Sequence, residues 1–233
     1  MNTTRQTVMI TGAAGHLGRA VAARFRAQGA QLVLVGRDAA GLQRTFGEDG
    51  DTLLVAADLL DADQVAAGTA QAVVQFGRIH ALCHLAGGFR MGESVHLTSA
   101  ETWRFMMDVN ARCLLNVAHA VVPHMIAHGD GKIVTVGAAA AGKGAAHMGA
   151  YGASKSALLR LTEAMSAELR HKGINVNCVL PSIIDTADNR AAMPDADPAR
   201  WVAPEALAEV IAFLASDGAR AIHGASVPVT GLV

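Results

Sequence analysis

Cysteine is scarce in this chain, three residues in 233, and Cys83, Cys113 and Cys178 form no Cys-x-x-Cys pair. That excludes a disulfide framework and a thiolate zinc site. Charge of either sign is sparse too: 19 Lys and Arg face 20 Asp and Glu, for a net charge of −1. With no basic block, a nucleic-acid surface gets no support. No apolar run approaches the roughly 18 residues that a membrane span needs. Met1–Thr7 is polar, and the apolar run behind it is too short for a signal peptide. The expectation is a cytoplasmic protein with neither a membrane nor a nucleic-acid partner. Ten histidines invite a metal. His124 and His128 stand four apart, as do His80 and His84, but no carboxylate accompanies them, so no metal is expected.

What the chain has in quantity is apolar residues, 52% of the total. One domain over residues 1–233 can bury a large core, and the apolar excess suggests surface covered in an oligomer. The runs alternate in type. Val8–Ile10, Gln31–Val35, Thr52–Ala56, Ala81–Ala86, Lys132–Val136, Ile174–Leu180 and Ser226–Val229 read as strands. Leu17–Gln28, Ala39–Phe46, Ala62–Phe76, Tyr151–Lys172 and Pro204–Ser216 read as helices. The strands are apolar almost throughout, which suits a parallel sheet covered on both faces. The expected fold is a doubly wound α/β sheet of about seven parallel strands. Asp185–Trp201, polar and holding Pro194 and Pro198, reads as a mobile loop, with the substrate loop placed at about 185–203.

Between the first strand and first helix lies Thr11-Gly12-Ala13-Ala14-Gly15-His16-Leu17-Gly18. Gly12 allows the turn, Gly15 admits a pyrophosphate to the backbone, and Gly18 lets helix and strand pack closely. Helix-start N–H groups then hold the phosphates. The second strand ends in Val35-Gly36-Arg37-Asp38. An acid at that strand end would hold the ribose 2′-hydroxyl, whereas Arg37 offers a guanidinium for a 2′-phosphate. NADP(H) is favoured over NAD(H), with Asp38 left as an alternative ribose ligand. Asp58, beside Leu59, either meets the adenine edge or simply caps a helix.

Tyr151 is the sole tyrosine, and Lys155 follows it by four residues. With four lysines in the chain, chance places one there about 2% of the time. The spacing stacks both side chains on one helix face. An ammonium beside the phenol is expected to lower its pKa and make it a usable proton donor or acceptor.

With those residues in hand, the chain resembles the short-chain dehydrogenase/reductase family over essentially its whole length. The glycine turn, Asp58, Ala86-Gly87-Gly88, Asn110 and the Tyr151/Lys155 pair arrive in the family's order. The resemblance implies that Ala86 and Gly87 line the cofactor and that Tyr151 exchanges a proton. It implies that Lys155 also binds the nicotinamide ribose and that Asn110 holds a helix kink and a relay water. Leu180-Pro181-Ser182-Ile183-Ile184-Asp185-Thr186 matches the segment that meets the carboxamide, with Pro181, Ile184 and Thr186 as contacts. It further implies a homodimer or homotetramer joined through the Tyr151–Lys172 helix and the helix around Asn110–Met125.

Three departures stand out. The glycines are spaced G-x-x-G-x-x-G, His84-Leu85 replaces an Asn pair, and Ala138 stands where a serine is expected thirteen residues before the tyrosine. The dihydropteridine reductase branch is similar in these departures, and also in Tyr151-Gly152-x-x-Lys155, Ala86-Gly87-Gly88-Phe89 and the stretch Ile174–Trp201. It differs at Gly36-Arg37 and in having no counterpart of Asn110. The implied reaction is hydride transfer to a small-molecule C=N or C=O, with a quinonoid dihydropteridine as one acceptor. The alternatives are a carbonyl or 3-oxoacyl reductase with a substitute donor, such as Ser182 or His147, and an inactive NADP-binding regulator. Ala138, His147, Ser182 and Trp201 make up the expected substrate pocket, though His147 reads more readily as a surface loop residue and Trp201 equally as simple packing.

Overall fold

The first apolar run becomes strand β1 (Thr7–Thr11), and every one of its residues is buried. The computed structural model describes residues 5–47 and 49–233. The polar start at Met1–Thr4 lies outside them. After β1 come α1 (His16–Ala27), β2 (Gln31–Gly36), α2 (Ala39–Phe46), β3 (Thr52–Ala56), α3 (Ala62–Phe76) and β4 (Ala81–His84). The second half holds α4 (Ala100–Met107), a π turn (Asp108–Arg112), α5 (Cys113–His128), β5 (Gly131–Val136) and α6 (Gly149–Leu169). It ends in β6 (Ile174–Pro181), α7 (Ala187–Ala192), α8 (Pro204–Leu214) and β7 (Ser226–Val229).

Among the described residues the strands pair in parallel in the order β3-β2-β1-β4-β5-β6-β7. The period-2 geometry of a strand sends alternate side chains to opposite faces. Val8, Ile10, Leu32 and Leu34 therefore join one core with Phe25 of α1 and Ile211 of α8. Met9, Val33, Val35 and Leu82 join the other with Val117 and Val121 of α5. Both faces are covered, which explains strands that read as unbroken apolar runs.

The strand order reverses between β1 and β4. In an open parallel sheet, that is where a crevice forms beyond the carboxyl ends of the strands. Two glycines set its floor. Gly12 has φ +68°, and a β-carbon there would stand 3.0 Å from the Ala86 nitrogen. A β-carbon on Gly18 would run into the Gly12 and Ala13 carbonyl oxygens.

Asp185–Trp201 is not the plain loop its composition suggests. Thr186 Oγ1 accepts from the Asn189 N–H at 3.2 Å and starts α7. The Asp185 carboxylate takes both Arg190 Nε and Nη2, at 2.6 and 2.7 Å. Pro198–Arg200 then forms a 3₁₀ turn, and Ile184 bridges Val202. These contacts are local and polar, so no apolar period announces them. β4 also stops at His84, two residues earlier than its apolar run suggests. Among the described residues, no helix is long and apolar enough to cross a membrane.

The packing at Gly18 yields a direct expectation. Gly18→Ala should cost about 1–3 kcal/mol, because the clash is with backbone rather than a movable side chain. A chain of this size should then melt about 2–10 °C lower. An unchanged melting temperature contradicts this packing.

Candidate active site

Beyond the end of β1, the Gly15 N–H donates to the Gly12 carbonyl at 3.1 Å and closes the turn. Gly15 is the N-cap of α1, and it offers no side-chain cap. No acidic residue stands in the first turn. The initial N–H groups of the helix thus have no side-chain acceptor, which is the arrangement that suits an anion. Ala14, Gly15, His16 and Leu17 surround that helix start, and Arg19 Nε donates to the Ala14 carbonyl at 3.0 Å. A groove of about 780 Å³ runs from there between α1, the start of α7 and α8, walled by His16, Arg19, Arg24, Thr186, Glu205 and Glu209, and does not reach Tyr151 or Lys155. A turn with no room for side chains and an uncapped helix start fit the pyrophosphate of a dinucleotide.

Arg37 is exposed at the end of β2. Asp58 is exposed beyond β3, and its Oδ1 accepts from the Leu60 N–H at 3.0 Å. The cap of α3 is Asp61, which accepts from the Asp63 and Gln64 N–H groups. The helix-cap reading of Asp58 is therefore corrected. Leu59 is buried, and its carbonyl accepts from Asn116 Nδ2 at 2.9 Å.

The turn after β4 is tied to the helices by one amide. Asn110 is fully buried within the π turn. Its Oδ1 accepts from the Gly88 N–H, and its Nδ2 donates to the Gly88 carbonyl and to Ser154 Oγ, all at 3.0 Å. Ser154 in turn donates to the Tyr151 carbonyl at 2.8 Å. A β-carbon on Gly87 would lie 2.9 Å from Asn110 Oδ1 and 3.1 Å from Lys155 Nζ. That turn accordingly needs a residue without a side chain.

Lys155 is buried, and its ammonium donates to the Val136 carbonyl at 2.9 Å. Burial brings its pKa down to about 8. Tyr151 meets Phe89 edge-to-face, with centroids 4.8 Å apart. Burial raises the phenol above its ordinary value. The expected lowering by the ammonium is not what this cleft shows: desolvation dominates the phenol, and Nζ is held by a carbonyl. Burial, then Lys155, brings His84 down to about 3, so it stays neutral beside that ammonium. Its Nδ1 is 3.0 Å from Thr11 Oγ1, which also accepts from the Ala86 N–H at 3.3 Å.

The expected pocket residues divide. Ala138, 7% exposed, stands one residue beyond Gly137 at the end of β5 and leads into a 3₁₀ turn. Ser182 donates its hydroxyl to the Thr230 carbonyl at 2.7 Å, so that hydroxyl is already engaged. His147 is exposed and sits at φ 61°, at the head of α6. Trp201 is buried, with the backbone of Gly231 packed against its own backbone. Pro181 ends β6 as a buried residue, Ile184 is half-buried, and Thr186 uses its hydroxyl as the cap of α7. Ser154 and the Val136 carbonyl were not singled out from the sequence. A serine next to the lysine is a weak signal, and a backbone carbonyl gives none. Among the described residues, no group of three or more His, Cys, Asp or Glu could hold a metal ion.

A family model described as short chain dehydrogenase matches residues 6–197. The chain belongs to that family. It is 32% identical to a cis-4-hydroxycyclohexanecarboxylate dehydrogenase of Sinomonas cyclohexanicum, over 97% of this chain and 95% of that one. It is 33% identical to the oxidoreductase UcpA of Salmonella typhimurium, over 98% and 94%. Among solved structures, the 3-ketoacyl-(acyl-carrier-protein) reductase of Brucella melitensis, complexed with NADH, superposes with a TM-score of 0.87 at 30% identity, over 97% of each chain. The protein is thus an oxidoreductase of the short chain dehydrogenase family, and the crevice at the strand reversal is its candidate site.

The buried lysine makes a prediction independent of substrate. Lys155 has its ordinary pKa of 10.5 unfolded and one of about 8 folded. Between those values the unfolded chain binds more protons, so stability rises with pH. Below about pH 8 the full cost of the buried ammonium is present, on the order of 3 kcal/mol. Lys155→Met removes the titration. Urea denaturation at pH values from about 7 to 10.5 should show wild type gaining stability relative to Lys155→Met across that window. A gap independent of pH contradicts the burial of the charge.

Proposed function

We propose that this oxidoreductase transfers hydride between NADP(H) and an electron-poor, conjugated C=N or C=O of a small molecule, with a dihydropteridine as the acceptor to test first. NAD(H) is the weaker cofactor. Bound at the crevice, the cofactor supplies the hydride. Tyr151 supplies the proton to the acceptor nitrogen or oxygen. Lys155 sits behind it, fixed by the Val136 carbonyl, and meets the nicotinamide ribose. Asn110 keeps the Gly87-Gly88 turn against α6. Gly12, Ala14, Gly15, His16, Leu17 and Gly18 hold the pyrophosphate; Arg37 takes the 2′-phosphate. Asp58, Leu59, Ala86 and Gly87 border the adenosine side, and Pro181, Ile184 and Thr186 the carboxamide. Retention of Tyr151, Lys155 and Asn110 supports an enzyme over a nucleotide-binding regulator, which needs only the first end of the site.

The observation that carries the acceptor class is the shortage of hydroxyl donors. Ala138 has none, and that of Ser182 is engaged with Thr230. A plain ketone develops alkoxide charge and loses on the order of 10²–10³ in rate when a donor is missing. A conjugated imine is already electron-poor and tolerates that loss. The relatives favour a second reading, since one acts on a cyclic hydroxy acid and another on a 3-ketoacyl group. The proposal also places the protein in the cytoplasm, as a homodimer or homotetramer. The faces of α5 and α6 would join the copies, and half-exposed Leu115 on α5 supports an apolar seam there.

Tyr151→Phe should lower turnover by a factor on the order of 10²–10⁴ with cofactor affinity nearly unchanged, while Lys155→Ala damages both. Full activity in Tyr151→Phe would mean that water or the substrate supplies the proton.

Steady-state rates on one dihydropteridine, one simple ketone and one 3-oxoacyl thioester separate the acceptor classes. Ala138→Ser should gain little on the first and raise activity on the ketone. If a substitute donor exists instead, Ser182→Ala or His147→Ala is costly and Ala138→Ser brings nothing. A wild type that prefers the ketone removes the dihydropteridine reading.

A further inference from the structure

The end of β2 presents opposite charges side by side. Arg37 suits the 2′-phosphate of NADP(H), while Asp38 repels it and suits the free 2′-hydroxyl of NAD(H). At Gly36 itself no side chain is present, and a β-carbon would stand 3.3 Å from Leu42 Cδ2. The contest is therefore between Arg37 and Asp38, both exposed. Asp38 is the N-cap residue of α2, yet its side chain makes no capping bond. The carboxylate instead folds back over the first turn of the helix. Its Oδ2 lies 2.6 Å from where a β-carbon on residue 41 would stand, and 3.3 Å from Arg44 Nη2. That berth exists because residue 41 is glycine, and because Arg44 lies one turn further along α2.

We propose that Gly41 and Arg44 are specificity-determining positioning residues. They hold Asp38 back over α2, so that Arg37 alone meets the 2′-phosphate. The inference rests on the NADP(H) reading above and extends it to two residues outside the family's cofactor motif. Both partners of the ion pair are more than half exposed, so its effect is a matter of a few-fold, not of orders of magnitude.

The test is the ratio of NADP⁺ to NAD⁺ affinity, measured calorimetrically on the full chain. The variants are Gly41→Ala, Arg44→Ala and Arg44→Lys, each with and without Asp38→Asn. Gly41→Ala and Arg44→Ala should each lower the ratio about two- to fivefold, the range open to an exposed pair. Arg44→Lys should restore most of it, and with Asp38→Asn both losses should vanish. Gly41→Ala is the decisive variant, because it changes no charge and alanine suits a helix interior. A ratio unmoved by Gly41→Ala overturns the proposal. So does an Arg44→Ala loss that persists with Asp38→Asn, since Arg44 would then meet the phosphate itself. If Arg37→Ala abolishes the preference while Gly41→Ala leaves it intact, the NADP(H) reading stands and only this inference falls. A wild type that binds both cofactors equally, or neither, overturns both.

Discussion

One buried amide holds the two halves of the site together. The Asn110 side chain bonds both the N–H and the carbonyl of Gly88 and reaches Ser154 on the helix that carries Tyr151 and Lys155. A π turn is strained relative to a continuous helix and persists where its side chains are well used. Here the turn places Asn110 in the core, facing the strand reversal, where an uninterrupted α4–α5 helix would present a different face. Leaving these three bonds unmade in the interior would cost about 1–3 kcal/mol for each stranded group. The position of Gly87, the space in front of Lys155 and the seating of α6 all follow from them.

The second constraint is electrostatic. Lys155 is buried, its ammonium bonds no carboxylate among the described residues, and its partner is a neutral carbonyl. An unpaired buried ammonium is costly, which is why its proton is held less tightly than in water. The surroundings avoid adding to that cost. His84 is kept neutral and adds no like charge, while the Cys113 thiol, pushed up to about 11 by burial, stays protonated and supplies no offsetting negative charge. A lysine in this condition gains when an anion or a polar hydroxyl arrives, so binding energy and charge relief are coupled at one atom.

Much of this arrangement could be read from the residues. The unbroken apolar runs announced a parallel sheet, because strands covered on both faces have no polar side to reveal. The Tyr151/Lys155 spacing placed two side chains on one helix face, because 3.6 residues make a turn. It could not give the sign of the phenol's shift, which depends on how deeply Tyr151 sits and on where Lys155 Nζ points. Helix α7 was missed because its stability comes from a Thr186 cap and an Asp185–Arg190 pair rather than from an apolar stripe. Asp58 reads as a cap from sequence alone; Asp61 takes that role because its carboxylate is the one that reaches the Asp63 and Gln64 N–H groups. The π turn at Asp108–Arg112 has no local signature at all, since it answers to Gly88 and Ser154, far away in sequence.

The same burial bears on the proposed direction of the reaction. Under the proposed function Tyr151 is the proton donor, and a phenol that burial raises above its ordinary pKa is protonated at neutral pH, as that role requires. Donation is the half-reaction that reduction requires, whereas oxidation of an alcohol needs the phenolate first. Phe89 meets the ring edge-to-face, with centroids 4.8 Å apart. With Ala138 adding no second donor, the proton of Tyr151 must do alone what two hydrogen bonds would share. Under the proposed function, an acceptor that draws hydride by its own conjugation asks least of that single proton, which is how the proposal accommodates the absence of a hydroxyl at residue 138.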